Sequence, residues 1–389
     1  MASQMKSERV GLYIHWPFCE AKCPYCDFNS HVSDSIDHDQ WLQAYLNELD
    51  YIVSQTNQRN LVSIFFGGGT PSLMRPHVVK ALINKAYEIW SPRQDIEITL
   101  EANPTSIEAQ KFKDFKSAGV NRVSIGVQSF DDEQLNFLGR KHSSVEAIEA
   151  LTLANKIFGS VSFDLMYALP DQSVPQWEAQ LKNALPYIND HLSLYQLTIE
   201  PKTPFFTQHQ RGDFQIPPQD QAADFYSVTQ EIMNDFGMPA YEVSNHAKDG
   251  RQSAHNGVYW AYDDYIGIGP GAHGRVSKDG QKFATRTRRA PEIWLQKSLN
   301  EGHGYHNFEA ITHEDQFIEM VMMGLRVKKG IHLQTISQKT GIQFLDYISE
   351  NKIISMVEEG FITYDQKKII PTAKGSACLN SLISYLLLQ

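Results

Sequence analysis

From Val10 to about Pro201, short apolar runs alternate with segments whose apolar residues recur at helical spacing. The runs Val10–His15, Ser63–Phe66, Glu97–Glu101, Arg122–Gly126, Ser162–Met166 and Leu192–Thr198 are mostly continuous, not alternating. That is the pattern of parallel strands buried on both faces. Between them, Leu42, Tyr45, Leu46, Leu49 and Val53 mark one amphipathic helix, and Ala147, Ile148, Leu151, Ala154 and Ile157 mark another. Ser143 with Glu146, and Ser173 with Pro175 and Gln176, have the spacing of capping boxes. Gly159 is placed to end the helix before it. Six β–α units at steps of about thirty residues predict an α/β fold, a partial (βα)6 TIM-like barrel over residues 1–205. A full barrel needs two more units, and the chain after Pro201 does not supply them cleanly.

The stretch Pro201–Asp220, rich in Pro, Gln and Gly, predicts a long loop, and Ala222–Phe236 a further helix. A segment rich in Gly, Tyr and His follows through Arg275, so residues 206–313 read as an α+β region completing the barrel. From Glu314 the character changes. Helical patterns at Phe317–Leu325, His332–Thr340 and Phe344–Asn351 lead to β-type runs at Phe361–Tyr364 and Ile369–Pro371, separated by a polar turn, and then to a last helix. Helices followed by a β-wing predict a winged-helix-like module over residues 314–389. Eight Lys/Arg there balance eight Asp/Glu. A winged helix that reads DNA should be basic, so this one is expected to pack on the barrel or on a protein.

The whole chain of 389 residues carries 35 Lys+Arg against 45 Asp+Glu, a net charge of −10. This argues against a nucleic-acid partner. Met1 to Arg9 shows no apolar signal segment, and no apolar run approaches the roughly 18 residues that span a bilayer. The expected location is the cytoplasm, with peripheral membrane contact left open.

Three of the four cysteines, Cys19, Cys23 and Cys26, fall directly after the first strand; the fourth, Cys378, stands near the C-terminus and is expected to be a small buried residue. A disulfide framework would spread its cysteines, so the cluster points to a metal in a reducing compartment. One loop with this spacing can wrap three thiolates around one centre, and a four-iron cluster on three Cys leaves one iron open. A zinc site completed by His31, or unligated thiols, are the alternatives. The run Gly67-Gly68-Gly69-Thr70-Pro71-Ser72 follows the second strand, where free backbone N–H groups suit an anion. Glu101 ends the third strand. Asp164 interrupts an apolar strand and needs a partner, for which Arg140 is the candidate.

The run from Tyr13 through Cys26, Tyr-Ile-His-Trp-Pro-Phe-Cys-Glu-Ala-Lys-Cys-Pro-Tyr-Cys, resembles the signature of radical S-adenosylmethionine (SAM) enzymes. More narrowly, it is similar to the oxygen-independent coproporphyrinogen III oxidases and their HemW-type heme-chaperone branch, and the likeness runs through nearly the whole chain. The resemblance implies a [4Fe–4S] cluster on Cys19, Cys23 and Cys26 with SAM on its open iron. Gly68 and Glu101 would hold that SAM, with Tyr13 and Tyr25 of the signature counted among the cofactor-binding residues. Gly69 and Thr70 would line a neighbouring pocket. Gln128, Arg140 and Asp164 match positions that bind a second SAM in the oxidase.

Two departures from the oxidase pattern match the chaperone branch. Phe28 stands where the oxidase carries a fourth Cys, and only twelve residues precede Tyr13. The stretch His255-Asn-Gly-Val-Tyr259-Trp260 is similar to the chaperones' His-Asn-x-x-Tyr-Trp. Imidazole ligates heme iron and aromatic rings stack on porphyrins, so His255, Tyr259 and Trp260 become heme candidates, with His246 and His273 as rival ligands. The function implied is a heme chaperone that holds heme, the cluster and SAM and serves heme-acceptor proteins, respiratory ones among them, with dimerisation linked to the cluster. Coproporphyrinogen III dehydrogenase activity is expected to be absent. The alternatives are the decarboxylating oxidase itself and, from another class, a zinc-ribbon/winged-helix regulator.

Overall fold

The computed structural model describes residues 9–388 apart from Asp34, Asn57 and Gln58, and apart from the side chain of Ile107. The polar segment before Arg9 lies outside the described residues.

Eleven strands form one sheet: β1 (Arg9–Trp16), β2 (Asn60–Gly68), β3 (Ser91–Ala102), β4 (Arg122–Gln128), β5 (Ser160–Tyr167), β6 (His191–Gln196), β7 (Asn245–Ala247), β8 (Asp264–Ile268), β9 (His273–Lys278), β10 (Gln281–Arg286) and β11 (Glu309–Ala310). Their spatial order is β11-β10-β9-β8-β1-β2-β3-β4-β5-β6-β7. The six strands expected from the sequence are β1 to β6, all parallel, and the sheet curls into the open barrel. The structure adds a seventh parallel strand, β8, on the outer edge of β1. Its Asp-Tyr-Ile-Gly-Ile sequence hides it, because Gly weakens a strand signal. Gly267 is required there, since a Cβ would come within 2.1 Å of the His273 carbonyl oxygen where β9 folds back.

Alternation along each strand sorts the barrel into two faces. Val10, Leu12, Ile14 and Trp16 are fully buried and join the core beneath the outer helices. There Trp16 meets Trp41 at 5.8 Å, and Trp41 stacks on Trp294 at 5.3 Å. Gly11, Tyr13 and His15 face the other way, into the lumen. The capping boxes at Ser143 and Ser173 form as expected. Gly159 does not act as a cap, because the preceding helix ends at Ile157 with Phe158 extended. Within the expected loop, Pro204–Arg211 is a helix, capped by the Thr203 hydroxyl and closed by Gly212 in the left-handed region.

The lower lumen is filled by the short helix Ala254–Trp260. Its first-turn donors, the Ser253 hydroxyl and the amides of Ala254 and His255, converge on the Glu97 carboxylate of β3 at 3.2, 2.9 and 3.0 Å. A carboxylate at a helix N-terminus satisfies orphan N–H groups and complements the helix dipole. Beside it His191 bridges Ser162 and Tyr241.

The C-terminal module has its own core, built from Phe317, Ile336, Phe344, Ile353, Ile362, Ile369 and Leu382 around a three-stranded sheet. The wing is the antiparallel pair Ile362–Tyr364 and Lys368–Pro371, and Asp365 accepts from the Lys367 and Lys368 amides at its turn. Arg275 of β9 pairs with Glu319 at 2.6 Å, and Lys339 donates to the Ala261 carbonyl, fastening the module to the barrel. No helix among the described residues is long and apolar enough to cross a membrane.

Replacing Glu97 with Ala leaves three donors in the barrel floor without an acceptor. We expect a loss on the order of 2 kcal/mol, seen as a lowered midpoint in scanning calorimetry. An unchanged midpoint would remove Glu97 as the anchor of the floor helix.

Candidate functional site at the barrel mouth

The loop carrying the three cysteines starts at the end of β1 and is closed on itself. Phe18–Cys19 pairs in parallel with His31–Val32, and the His31 amide donates to the Pro17 carbonyl at 2.7 Å. Asn29 fastens it to the barrel: its side-chain amide donates to the carbonyls of Pro270 and Arg289, both at 2.9 Å. Its own carbonyl accepts from His15 Nε2 at 2.9 Å, while the Tyr13 hydroxyl bonds His15 Nδ1 at 3.0 Å. Tyr13 therefore acts from below the loop. Its side chain is half-buried in the lumen and is not among the residues that line the cavity.

The other expected residues come together. Cys19, Cys23, Tyr25, Cys26, Gly68, Gly69, Thr70, Glu101, Gln128, Arg140 and Asp164 all line one cavity of about 1080 Å³ at the C-terminal ends of the strands, where barrel sites are built. Phe28 stands on its lip, 57% exposed. Gln128 closes β4 with a φ of +71°, a conformation that costs energy in any residue but glycine, and it does so inside the cavity.

The glycine-rich turn differs from expectation. Its amides are already donated within the protein: Gly68 to the Glu101 carboxylate at 3.2 Å, Gly69 to the Trp16 carbonyl at 2.7 Å and Thr70 to the Phe18 carbonyl at 2.8 Å. The glycines are needed for close packing. A Cβ on Gly68 would meet the His15 ring at 2.6 Å, and one on Gly69 would meet the Phe18 carbonyl oxygen at 2.6 Å. The turn thus clamps the entry to the cysteine loop.

Asp164 and Arg140 form no ion pair. Asp164 is bonded to Ser193 of β6. The Arg140 guanidinium is held by Asn103 Oδ1 at 2.6 Å and the Gly126 carbonyl at 2.7 Å, and it reaches Cys23 Sγ at 3.6 Å. The Thr70 hydroxyl donates to Cys19 Sγ at 3.4 Å. Two of the three sulfurs thus already face a donor, one of them cationic, as outer partners of metal-bound thiolates do. No three His, Cys, Asp or Glu groups among the described residues converge on a point that would hold a single ion. His31 turns to Asn29 Oδ1 at 3.2 Å, so it is not placed to complete a zinc site. Three half-buried thiols ringing one hollow beside a cation fit a cluster better than one ion.

The heme candidates do not reach this cavity. His255 is 1% exposed in the barrel floor, with both ring nitrogens bonded, to Ser63 at 2.8 Å and Tyr259 at 2.7 Å. Burial lowers its pKa to about 3. Its environment is that of a satisfied core histidine. Trp260 is half-buried on the same helix. His246 is buried in edge strand β7 against the Met238 carbonyl, and His273 is exposed at the start of β9; neither lines the cavity. Cys378, expected to be buried, is instead half-exposed on the cavity's outer wall. That wall, supplied by the C-terminal module, is the part of the site that sequence reasoning missed. No local motif marks it.

The radical SAM superfamily model matches residues 13–182, and the HemN C-terminal domain model matches residues 311–377. Heme chaperone HemW of Escherichia coli (strain K12) is 37% identical over 99% of this chain and 100% of its own length. Heme chaperone HemW of Bacillus subtilis (strain 168) is 35% identical over 96% and 98%. The chain belongs to the radical SAM family of the HemW heme chaperones. Family members also include the mitochondrial radical S-adenosyl methionine domain-containing protein 1 of Bos taurus, 38% identical over 98% of this chain and 88% of its length. Among solved structures, the coproporphyrinogen III oxidase HemN of Escherichia coli superposes with a TM-score of 0.82 over 98% of this chain and 90% of its own, at 22% identity, which establishes the shared fold. The family resemblance expected from the signature is borne out, as is the partial barrel. Radical SAM membership implies an iron–sulfur cluster and SAM.

Burial and the neighbouring Asp164 push Glu101 up to about 8, and burial lifts Asp164 to about 6. Both carboxyls are therefore neutral at low pH and ionise as pH rises from about 6 to about 8. SAM carries a sulfonium cation, which favours the ionised forms, so its affinity should rise across that window and the slope should flatten in Glu101→Gln. Anaerobic calorimetry at several pH values checks this; a flat or falling wild-type profile would contradict it.

Proposed function

We propose that the chain is a heme chaperone that holds heme beside a [4Fe–4S] cluster and SAM and passes heme to acceptor proteins, respiratory ones among them. The observation that carries this reading is the 35–37% identity, over nearly the full length, to two proteins named heme chaperone HemW. Phe28 supports it, standing on the cavity lip where the oxidase pattern has a fourth Cys. In this reading Cys19, Cys23 and Cys26 hold the cluster, whose open iron supplies the anchoring point for SAM. Gly68 and Glu101 hold that SAM, with Gly69 and Thr70 beside them, while Tyr25, Gln128 and Asp164 line the adjoining space. Arg140 sets the charge next to Cys23. The protein works in a reducing compartment, the cytoplasm, as an exposed three-thiolate centre is prone to oxidation. A dimer linked to the cluster and contact with a membrane surface belong to the same reading.

One reconstituted sample, assayed twice under anaerobic conditions, separates this from the oxidase. Hemin titration should saturate near one equivalent per chain. The same protein with SAM, reductant and coproporphyrinogen III should yield no protoporphyrinogen. Turnover without heme retention would establish the oxidase instead.

A further inference from the structure

The cavity at the barrel mouth has two electrically different ends. Its inner end carries the half-buried carboxyls Glu101 and Asp164 close to the cysteine loop. Its outer wall belongs to the helix Gln219–Asp235 and the C-terminal module, and includes Tyr226, Arg326, Ser376 and Asn380. Arg326 is half-buried there. Its guanidinium donates to Asn380 Oδ1 at 3.2 Å and pairs with no carboxylate among the described residues. Behind it Lys328 donates to the Tyr226 hydroxyl at 3.4 Å and to Ser376 Oγ at 3.3 Å, with Glu242 nearby.

At about 1080 Å³ the cavity exceeds what one small ligand fills, since typical ligand pockets span roughly 300–1,000 Å³. A cationic ligand suits the acidic inner end. The outer end suits an anion, and the cation there is a fork that can grip a carboxylate with two hydrogen bonds.

We propose that heme binds in the outer part of this cavity, its propionate carboxylates held by Arg326 with Asn380 and Ser376 of the C-terminal module. This inference rests on the heme-chaperone reading above. Heme then sits between the module and the barrel mouth and on the same side as the cluster. The helix Ala254–Trp260, with His255 bonded on both nitrogens inside the floor, serves as a plug of the barrel and gives heme no ligand.

The test is a titration of the full-length, reconstituted protein with hemin, protoporphyrin IX and protoporphyrin IX dimethyl ester, which lacks free carboxylates. Arg326→Glu should weaken hemin and protoporphyrin IX about tenfold or more, the effect of losing a charge-assisted hydrogen bond. The ester should bind the wild type and the variant alike. Asn380→Ala should give a smaller loss of the same kind, and His255→Gln, where it folds with a native far-UV spectrum, should bind hemin as the wild type does. Wild-type hemin affinity in Arg326→Glu would overturn the site, as would equal loss of the ester and the free acid. Failure of the wild type to bind hemin at all would instead overturn the heme-chaperone reading beneath it.

Discussion

An open barrel of parallel strands has a lumen that must be filled with groups that can satisfy one another. In this protein the filler is a seven-residue helix, and the contact that holds it is the Glu97 carboxylate on the helix's first amides. From there a column of rings rises through the lumen. Tyr259 meets His255, His255 stacks on Phe65 at 5.0 Å, and Phe65 stacks on Tyr13 at 6.2 Å. Tyr13 bonds His15, and His15 bonds the backbone of Asn29 in the cysteine loop. The position of the loop is thus set from the floor upward, by packing and hydrogen bonds within the barrel.

The upper half of the lumen is arranged differently. Polar side chains there are held in place without being mutually neutralised. Arg140 is fixed by two oxygens and also donates to a cysteine sulfur, with its Nε left unpartnered among the described residues, while Glu101 and Asp164 stay side by side without a salt bridge. Such an arrangement costs stability in the absence of ligands and lends the cavity its chemistry, as perturbed groups cluster where binding or reaction occurs. The glycine turn belongs to the scaffold in this division. Its missing side chains make room for His15 and Phe18, which holds the cysteine loop in one place, while Gly68 and Gly69 also line the cavity.

Much of this was legible in the sequence because it is local. Continuous apolar runs located six strands, Ser143 and Ser173 announced their helices, and the run from Tyr13 through Cys26 carried the resemblance to the family that the comparisons support. The seventh strand was not legible, since Asp264–Ile268 is short and glycine-rich and becomes a strand only by lying against β1. The helix after Thr203 was masked by composition, although its cap, its first-turn proline and its closing glycine were all present. His255 shows the limit most clearly. A histidine with aromatic neighbours has the same sequence pattern whether it faces a porphyrin or, as here, Ser63 and Tyr259 in a sealed floor. The outer wall of the cavity depends on how a module more than one hundred residues downstream folds back. No spacing along the chain encodes that contact.

The central claim is that three thiols at the barrel mouth hold a four-iron cluster with one iron free for SAM. Iron and acid-labile sulfide analysis of the anaerobically reconstituted protein, joined to electron paramagnetic resonance of the reduced form, addresses it directly. The account predicts about four irons and four sulfides per chain and a cluster signal that changes when SAM is added. Colourless protein carrying zinc on these cysteines, or a cluster signal indifferent to SAM, would contradict it.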